Sequence, residues 1–130
     1  MSIPVNRSLM IIDDDDDLRT ILADILTTQG FMVAAFGQAR TALAALEVGQ
    51  APFLILLDLM MPGMSGWEFR AAQLENARLA RIPVVVVTAA NILNEGAGSL
   101  PDVEILRKPF DLDTLLAVVD RYAAAARASR

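Results

Sequence analysis

A chain of 130 residues has room for one domain around one core, and 55% hydrophobic residues are ample to fill it. The absence of cysteine excludes disulfides and thiolate zinc sites, and the absence of histidine excludes a Ser-His-Asp triad or a His-bound metal. The net charge of −5 argues against a nucleic-acid partner held by bulk electrostatics, and no apolar stretch reaches the 18 or so residues of a membrane span.

Residues 1–8 include Pro4, Asn6 and Arg7 and have no apolar signal-peptide core, so a cytoplasmic protein is expected. Leu9-Met10-Ile11-Ile12 is a short apolar run, read as a buried strand, that ends in the aspartates Asp13 to Asp17. Leu18, Ile21, Leu22, Ile25 and Leu26 then recur at helical spacing up to Gly30, with an Asp among 14–17 as the cap. Phe31 to Phe36 is the second strand. Ala39, Ala42, Leu43 and Leu46 mark a second helix ending near Gly49. Phe53 to Leu57 is a continuous apolar run that stops at Asp58, and the chain turns through Pro62 and Gly63 into a helix from about Gly66 to Leu79. Val84 to Val87 is a fourth buried strand ending at Thr88. From Ala89 to Asp102 two Asn, two Gly and Pro101 leave room for about two turns of helix at most. Val103 to Leu106 is a short fifth strand running into Arg107-Lys108-Pro109. The last helix takes Asp111 as its N-cap, turns Leu112, Leu115, Leu116, Val119 and Tyr122 inward, and gives way to a frayed tail within Ala123–Arg130. Strands alternating with helices predict one doubly wound α/β domain over residues 1–130.

In an open parallel sheet the carboxyl ends of the strands form the ligand crevice. Here the ends of the first, third, fourth and fifth strands bring polar groups: Asp13 and Asp14, Asp58, Thr88, and Lys108. Three carboxylates facing one another repel and raise each other's pKa, and a hard divalent cation such as Mg²⁺ resolves that. A hydroxyl and an ammonium facing the same point complete a site for anionic oxygens. The chemistry suggested is attack by one carboxylate on phosphorus. With no histidine in the chain, a phosphohistidine donor must be another molecule. Asp15, Asp16 and Asp17 read as a solvated turn and helix start. Met60, Met61 and Met64 read as loop packing under Pro62, and Trp67 as a first-turn packing residue.

Four segments together resemble the signatures of bacterial two-component response-regulator receiver domains of the CheY-like, stand-alone type: Ile-Ile-Asp-Asp, Leu-Leu-Asp-Leu-Met-Met-Pro-Gly-Met-Ser-Gly, Val-Val-Thr-Ala and Arg-Lys-Pro-Phe. The resemblance covers nearly the whole chain. It implies a flavodoxin-like fold with strand order 2-1-3-4-5 and a cis Lys108–Pro109 bond. It further implies Asp58 as phosphoacceptor and Asp14 as a direct Mg²⁺ ligand. Asp13 would act mainly through a metal-bound water, and the backbone carbonyl of Met60 would be a further ligand. Thr88 and Lys108 would bind the phosphoryl oxygens. The implied partners are a sensor histidine kinase or a histidine phosphotransfer protein, and a downstream protein. The implied activity is a signalling one, limited to the chain's own phosphorylation and slow dephosphorylation.

One departure qualifies that picture. Receiver domains usually carry Tyr or Phe three residues before the lysine, and this chain has Ile105 there, with no aromatic anywhere between Thr88 and Lys108. The Ala89–Asp102 segment would then have to supply the conformational switch. Rival readings are a receiver module cut from a hybrid kinase or larger regulator, and an aspartyl-phosphate hydrolase of the haloacid-dehalogenase type. This chain ends 22 residues after Lys108, so no output domain is expected within it. A hydrolase of that type needs a second Asp two residues after the nucleophile, where this chain has Met60. Met60 and Ala90 also offer no polar group to orient a hydrolytic water.

Overall fold

Strands and helices alternate in a computed structural model that describes residues 6–89 and 103–128. The order is β1 (Ser8–Ile12), α1 (Asp16–Thr28), β2 (Met32–Phe36), α2 (Ala39–Val48), β3 (Leu54–Leu57) and α3 (Gly66–Leu74). A 3-10 turn (Leu79–Arg81), β4 (Val84–Ala89), β5 (Glu104–Lys108) and α4 (Leu112–Ala128) follow. The short helix expected between β4 and β5, and with it the expected switch, falls in residues 90–102, outside the described residues.

All strand pairs are parallel, in the order β2-β1-β3-β4-β5, which is the doubly wound, flavodoxin-like arrangement expected. Alternation along each central strand divides its side chains between two cores. Ile12, Leu57 and Val86 face Ala42, Leu46 and Phe69 of α2 and α3. Ile11, Leu56 and Val85 face Leu22 and Leu26 of α1 and Leu115 and Val119 of α4. Because both faces are covered, β1, β3 and β4 carry uninterrupted apolar runs. β2 is an edge strand, and Met32 is 72% exposed there.

Local chemistry sets the helix ends. Asp15 caps α1 by accepting from the Leu18 amide at 3.0 Å. Ser65 and Glu68 form a reciprocal capping box that starts α3. That helix stops at Leu74, short of the expected Leu79. The Asn76 side chain accepts from the amides of Arg78 (3.0 Å) and Leu79 (3.2 Å), diverting the chain into the 3-10 turn. Neither α1 nor α2 has a basic residue in its last turn, and both borrow one. Arg7 donates to the carbonyls of Gly30 and Gln29, and Arg78 to those of Leu46, Glu47 and Gly49.

Other boundaries also move. β4 extends through Thr88 to Ala89, and β5 extends to Lys108, because ladder hydrogen bonds continue past the last apolar side chain. Leu112, expected inward, is 41% exposed, since the first turn of α4 projects beyond the strand ends toward α1. Val118 and Ala123 are buried in the inward seam. α4 continues to Ala128, and 129–130 lie outside the described residues. Met61 and Met64 pack on the α2/α3 core, as does Trp67, but Met60 is turned outward. The Lys108–Pro109 bond is cis, as the resemblance implies.

Gln73 is the polar pin of the α3 side. It is fully buried, donates to the carbonyls of Leu79 (2.8 Å) and Ile82 (3.1 Å), and accepts from Arg70 (2.8 Å). An apolar isostere would take the Gln73 donor from the Ile82 carbonyl, leave the Leu79 carbonyl with only the Ile82 amide, and remove one acceptor from the Arg70 guanidinium. Gln73→Leu is therefore expected to cost about 2–4 kcal/mol in urea unfolding. A loss below about 1 kcal/mol would mean that these bonds are replaced by water.

Candidate functional site

The site is built by strand register at the point where the strand order reverses, between β1 and β3. Ile12 pairs with Leu57, so the next residue on each strand, Asp13 and Asp58, emerge side by side. The Asp58 amide donates to the Ile12 carbonyl (2.9 Å), and the Asp13 amide to the Phe36 carbonyl (3.0 Å). Both aspartates are buried, while Asp14 at the rim is exposed. One carboxylate oxygen from each of Asp13, Asp14 and Asp58 lies within 4.8 Å of the other two.

Lys108, the last residue of β5, reaches across the crevice. Its Nζ is 2.9 Å from Asp13 Oδ2 and 3.9 Å from Asp58 Oδ2. The other oxygen of Asp13 accepts from the Asp15 amide at 2.9 Å. Behind Asp58 the loop is locked by α3. The Gly66 amide donates to the Leu59 carbonyl (2.9 Å), and a Cβ on Gly66 would collide with the Asp58 carbonyl oxygen and the Leu59 Cα. Only glycine allows the helix to seat so close to the carboxylate-bearing loop.

Burial is the main reason the Asp58 carboxyl is pushed up to about 6 from its ordinary 3.8. The neighbouring charge of Asp13 pushes in the same direction, as does Asp14 more weakly, while the Lys108 ammonium and a main-chain hydrogen bond from Met60 pull back. One ammonium therefore does not balance three carboxylates, and the surplus charge fits a divalent cation. A second observation points to an absent anion. Thr88 is 1% exposed, yet its Oγ1 has no hydrogen-bond partner among the described residues. A buried hydroxyl without a partner is costly, and such groups mark sites completed by something else.

The residues anticipated from the sequence thus meet at one end of the sheet. Asp13, Asp14, Asp58 and Lys108 converge directly. Thr88 is at the adjoining end of β4, and Met60 touches Asp58 through its main chain. Asp15, Asp16 and Asp17 take no part in the acidic cluster and serve the start of α1. Three supporting residues give weaker sequence signals. Gly66 reads as a turn glycine, and the Ser65-x-x-Glu68 pattern announces only a helix start.

Comparison with known proteins gives a consistent result. A family model described as the response regulator receiver domain matches residues 9–120. The response regulator receiver protein CpdR of Brucella abortus is 30% identical over 121 residues, which cover 92% of this chain and 99% of that protein. The DNA-binding transcriptional regulator NtrC of Proteus hauseri is 30% identical over 116 residues, covering 88% of this chain but 24% of that protein. The chain thus spans about a quarter of the length of its NtrC relatives. Among solved structures, a CheY-like receiver domain protein from Methanospirillum hungatei JF-1 superposes with a TM-score of 0.81 at 30% identity, over 92% of this chain and 96% of that one.

The raised Asp58 pKa makes a prediction for the metal-free chain. The folded carboxyl ionises near pH 6 and the unfolded one near 3.8, so ionisation penalises the folded state. Below about pH 4 the penalty is absent, and stability falls as pH rises through about 6. Asp58→Asn removes the penalty. At pH 7.5 with EDTA it is expected to be about 2–3 kcal/mol more stable than wild type, with the gap closing toward pH 4. Urea melts across this range check it, and a gap independent of pH would contradict the assignment.

Proposed function

Since the chain belongs to the response regulator receiver domain family, the signalling module of two-component systems, we propose that it accepts a phosphoryl group on Asp58. The donor in this reading is a phosphohistidine of a sensor kinase or phosphotransfer protein, and the output is a protein contact. The observation that carries the reading is the cluster itself: three carboxylates within 4.8 Å, two of them paired with the ammonium of Lys108, beside a buried hydroxyl without a hydrogen-bond partner among the described residues.

Mg²⁺ would be held by Asp14 and Asp58, by Asp13 through a water, and by the Met60 carbonyl, and when bound it offsets the charge of the phosphoryl oxygens. Asp58 supplies the nucleophilic oxygen. As its bond to phosphorus forms, the phosphorus–nitrogen bond of the donor breaks, and the electron pair stays with the imidazole nitrogen. Lys108 exchanges part of its contact with Asp13 and Asp58 for a phosphoryl oxygen, and the Thr88 hydroxyl donates to another. The outward Met60 side chain, 53% exposed, places no acid or base beside the acyl phosphate, which favours a lasting signal over rapid hydrolysis.

An apolar groove beside Lys108 supports the donor assignment. Leu18, Ile21 and Ile25 of α1 form one wall, and Pro109, Phe110 and Leu112 the other. Ile21 is 54% exposed there. A helix carrying phosphohistidine and laid in this groove would present phosphorus to the acidic crevice.

Incubation with acetyl phosphate and Mg²⁺ is expected to add one phosphoryl group, lost on hydroxylamine treatment, to wild type and none to Asp58→Asn. Intact-mass analysis decides; a hydroxylamine-stable label, or a label on Asp58→Asn, would refute the site. Mg²⁺ at 100 times Kd should stabilise the fold by about 2.7 kcal/mol in thermal melts. Asp14→Ala should lose most of that response, and Asp17→Ala should keep it. Ile21→Glu should slow transfer from a phosphorylated donor protein at least tenfold while leaving acetyl phosphate labelling intact. Equal slowing by both routes would move the donor surface elsewhere.

A further inference from the structure

Asp14 is the exposed member of the acidic cluster, and among the described residues no hydrogen bond holds its carboxylate. Its position is inherited from the main chain, in particular from the peptide that joins it to Asp13. The oxygen of that peptide is the Asp13 carbonyl, and it accepts from Arg19 Nη1 at 2.8 Å. The same guanidinium pairs through Nη2 with the exposed Asp16 carboxylate. Arg19 itself lies one turn into α1, with its side chain largely covered.

A second element presses on this guanidinium. Gly37 directly follows β2, next to Phe36, whose carbonyl anchors the Asp13 amide. A Cβ built on Gly37 would lie 2.9 Å from Arg19 Nη1 and 3.3 Å from its Cζ. The backbone of Gly37 is not left-handed, so alanine is tolerated by the chain and the collision falls on the guanidinium. The backbone of Asp13 is thus held at both ends: by Phe36 through the Asp13 amide, and by Arg19, seated against Gly37, through the carbonyl of the Asp13–Asp14 peptide.

We propose that Arg19, seated against Gly37, is a positioning residue that holds the Asp13–Asp14 peptide in the orientation needed to bind Mg²⁺. The proposal rests on the Mg²⁺ site described above. Groups that orient metal ligands from outside the coordination sphere are typically worth about 10–100-fold in metal affinity. An arginine suits this role better than a lysine, because its planar fork reaches the carbonyl and the Asp16 carboxylate at once.

The test is calorimetric titration of the metal-free full chain with MgCl2, with circular dichroism to establish that each variant is folded. Arg19→Met, which keeps the stem and removes the donors, is expected to weaken Mg²⁺ binding about tenfold or more. Arg19→Lys should recover part of the loss. Gly37→Ala should weaken binding by displacing the guanidinium, and it should add little in the Arg19→Met background, as expected of residues acting through one contact. A folded Arg19→Met with Kd within twofold of wild type, whatever its melting temperature, would overturn the proposal. So would a Gly37→Ala effect that persists undiminished in Arg19→Met. Asp14→Ala serves as the reference for loss of the site. If wild type itself shows no Mg²⁺ binding, the metal site fails and this proposal fails with it; if wild type binds and the Arg19 variants bind equally, only the positioning role is lost.

Discussion

Strand register forces two carboxylates together in a crevice that water barely enters. Ile12 opposite Leu57 leaves no freedom in where Asp13 and Asp58 emerge, and both are buried. Two like charges in such a place would drive the strand ends apart or force one group to stay protonated. Lys108 is the group that lets the sheet close over them, with its ammonium 2.9 Å from one carboxylate and 3.9 Å from the other. It comes from the far edge of the sheet, so the compensation works only when β4 and β5 are in register as well. The electrostatics of the site and the topology of the fold therefore depend on each other.

That compensation is partial, and its incompleteness is what makes the site useful. Asp58 stays well above the ordinary carboxylate range despite the lysine, because burial outweighs the attraction. A buried ion pair seldom repays its desolvation in full. Every ligand that relieves the surplus charge or satisfies the Thr88 hydroxyl binds the folded state alone and so stabilises it. Stability and ligand binding are linked here through one small group of atoms. The rest of the chain can then be read as a frame for that group. Gly66 lets α3 press on the Asp58 loop, and Gln73 fixes the other end of α3 to the turn that feeds β4.

The central strands and the acidic site were legible in the sequence for one reason: in a parallel sheet covered on both faces, strands are continuous apolar runs that end in whatever faces the crevice. Asp13, Asp58 and Thr88 all follow such runs. Features decided by side chain to main chain bonds were less visible. The early end of α3 depends on Asn76 turning to bond the Arg78 and Leu79 amides, and asparagine in a polar stretch does not announce that choice. Leu112 fits the apolar period of α4 but lies past the strand ends, a tertiary fact that periodicity cannot contain. Arg19 was silent for the same reason as Asn76. Its partner is a carbonyl, which every residue possesses.

The surface around the crevice carries one more consequence of composition. Asp14 to Asp17 form an acidic rim, and the chain is acidic overall, so an anionic donor approaching without a cation meets repulsion. At a spacing of one Debye length, about 8 Å at physiological salt, that repulsion is already largely screened, and it matters mainly at contact. Affinity for the proposed protein donor then has to come from elsewhere. The half-exposed Ile21 and Leu112 offer apolar area beside Lys108, and covering a large aliphatic side chain contributes about 1.5–3 kcal/mol when it passes from exposed to buried. For two side chains already about half covered, the gain is roughly half that each, enough to offset a screened charge penalty but too little to hold a partner tightly. Such a balance suits a donor that must dock, transfer and leave.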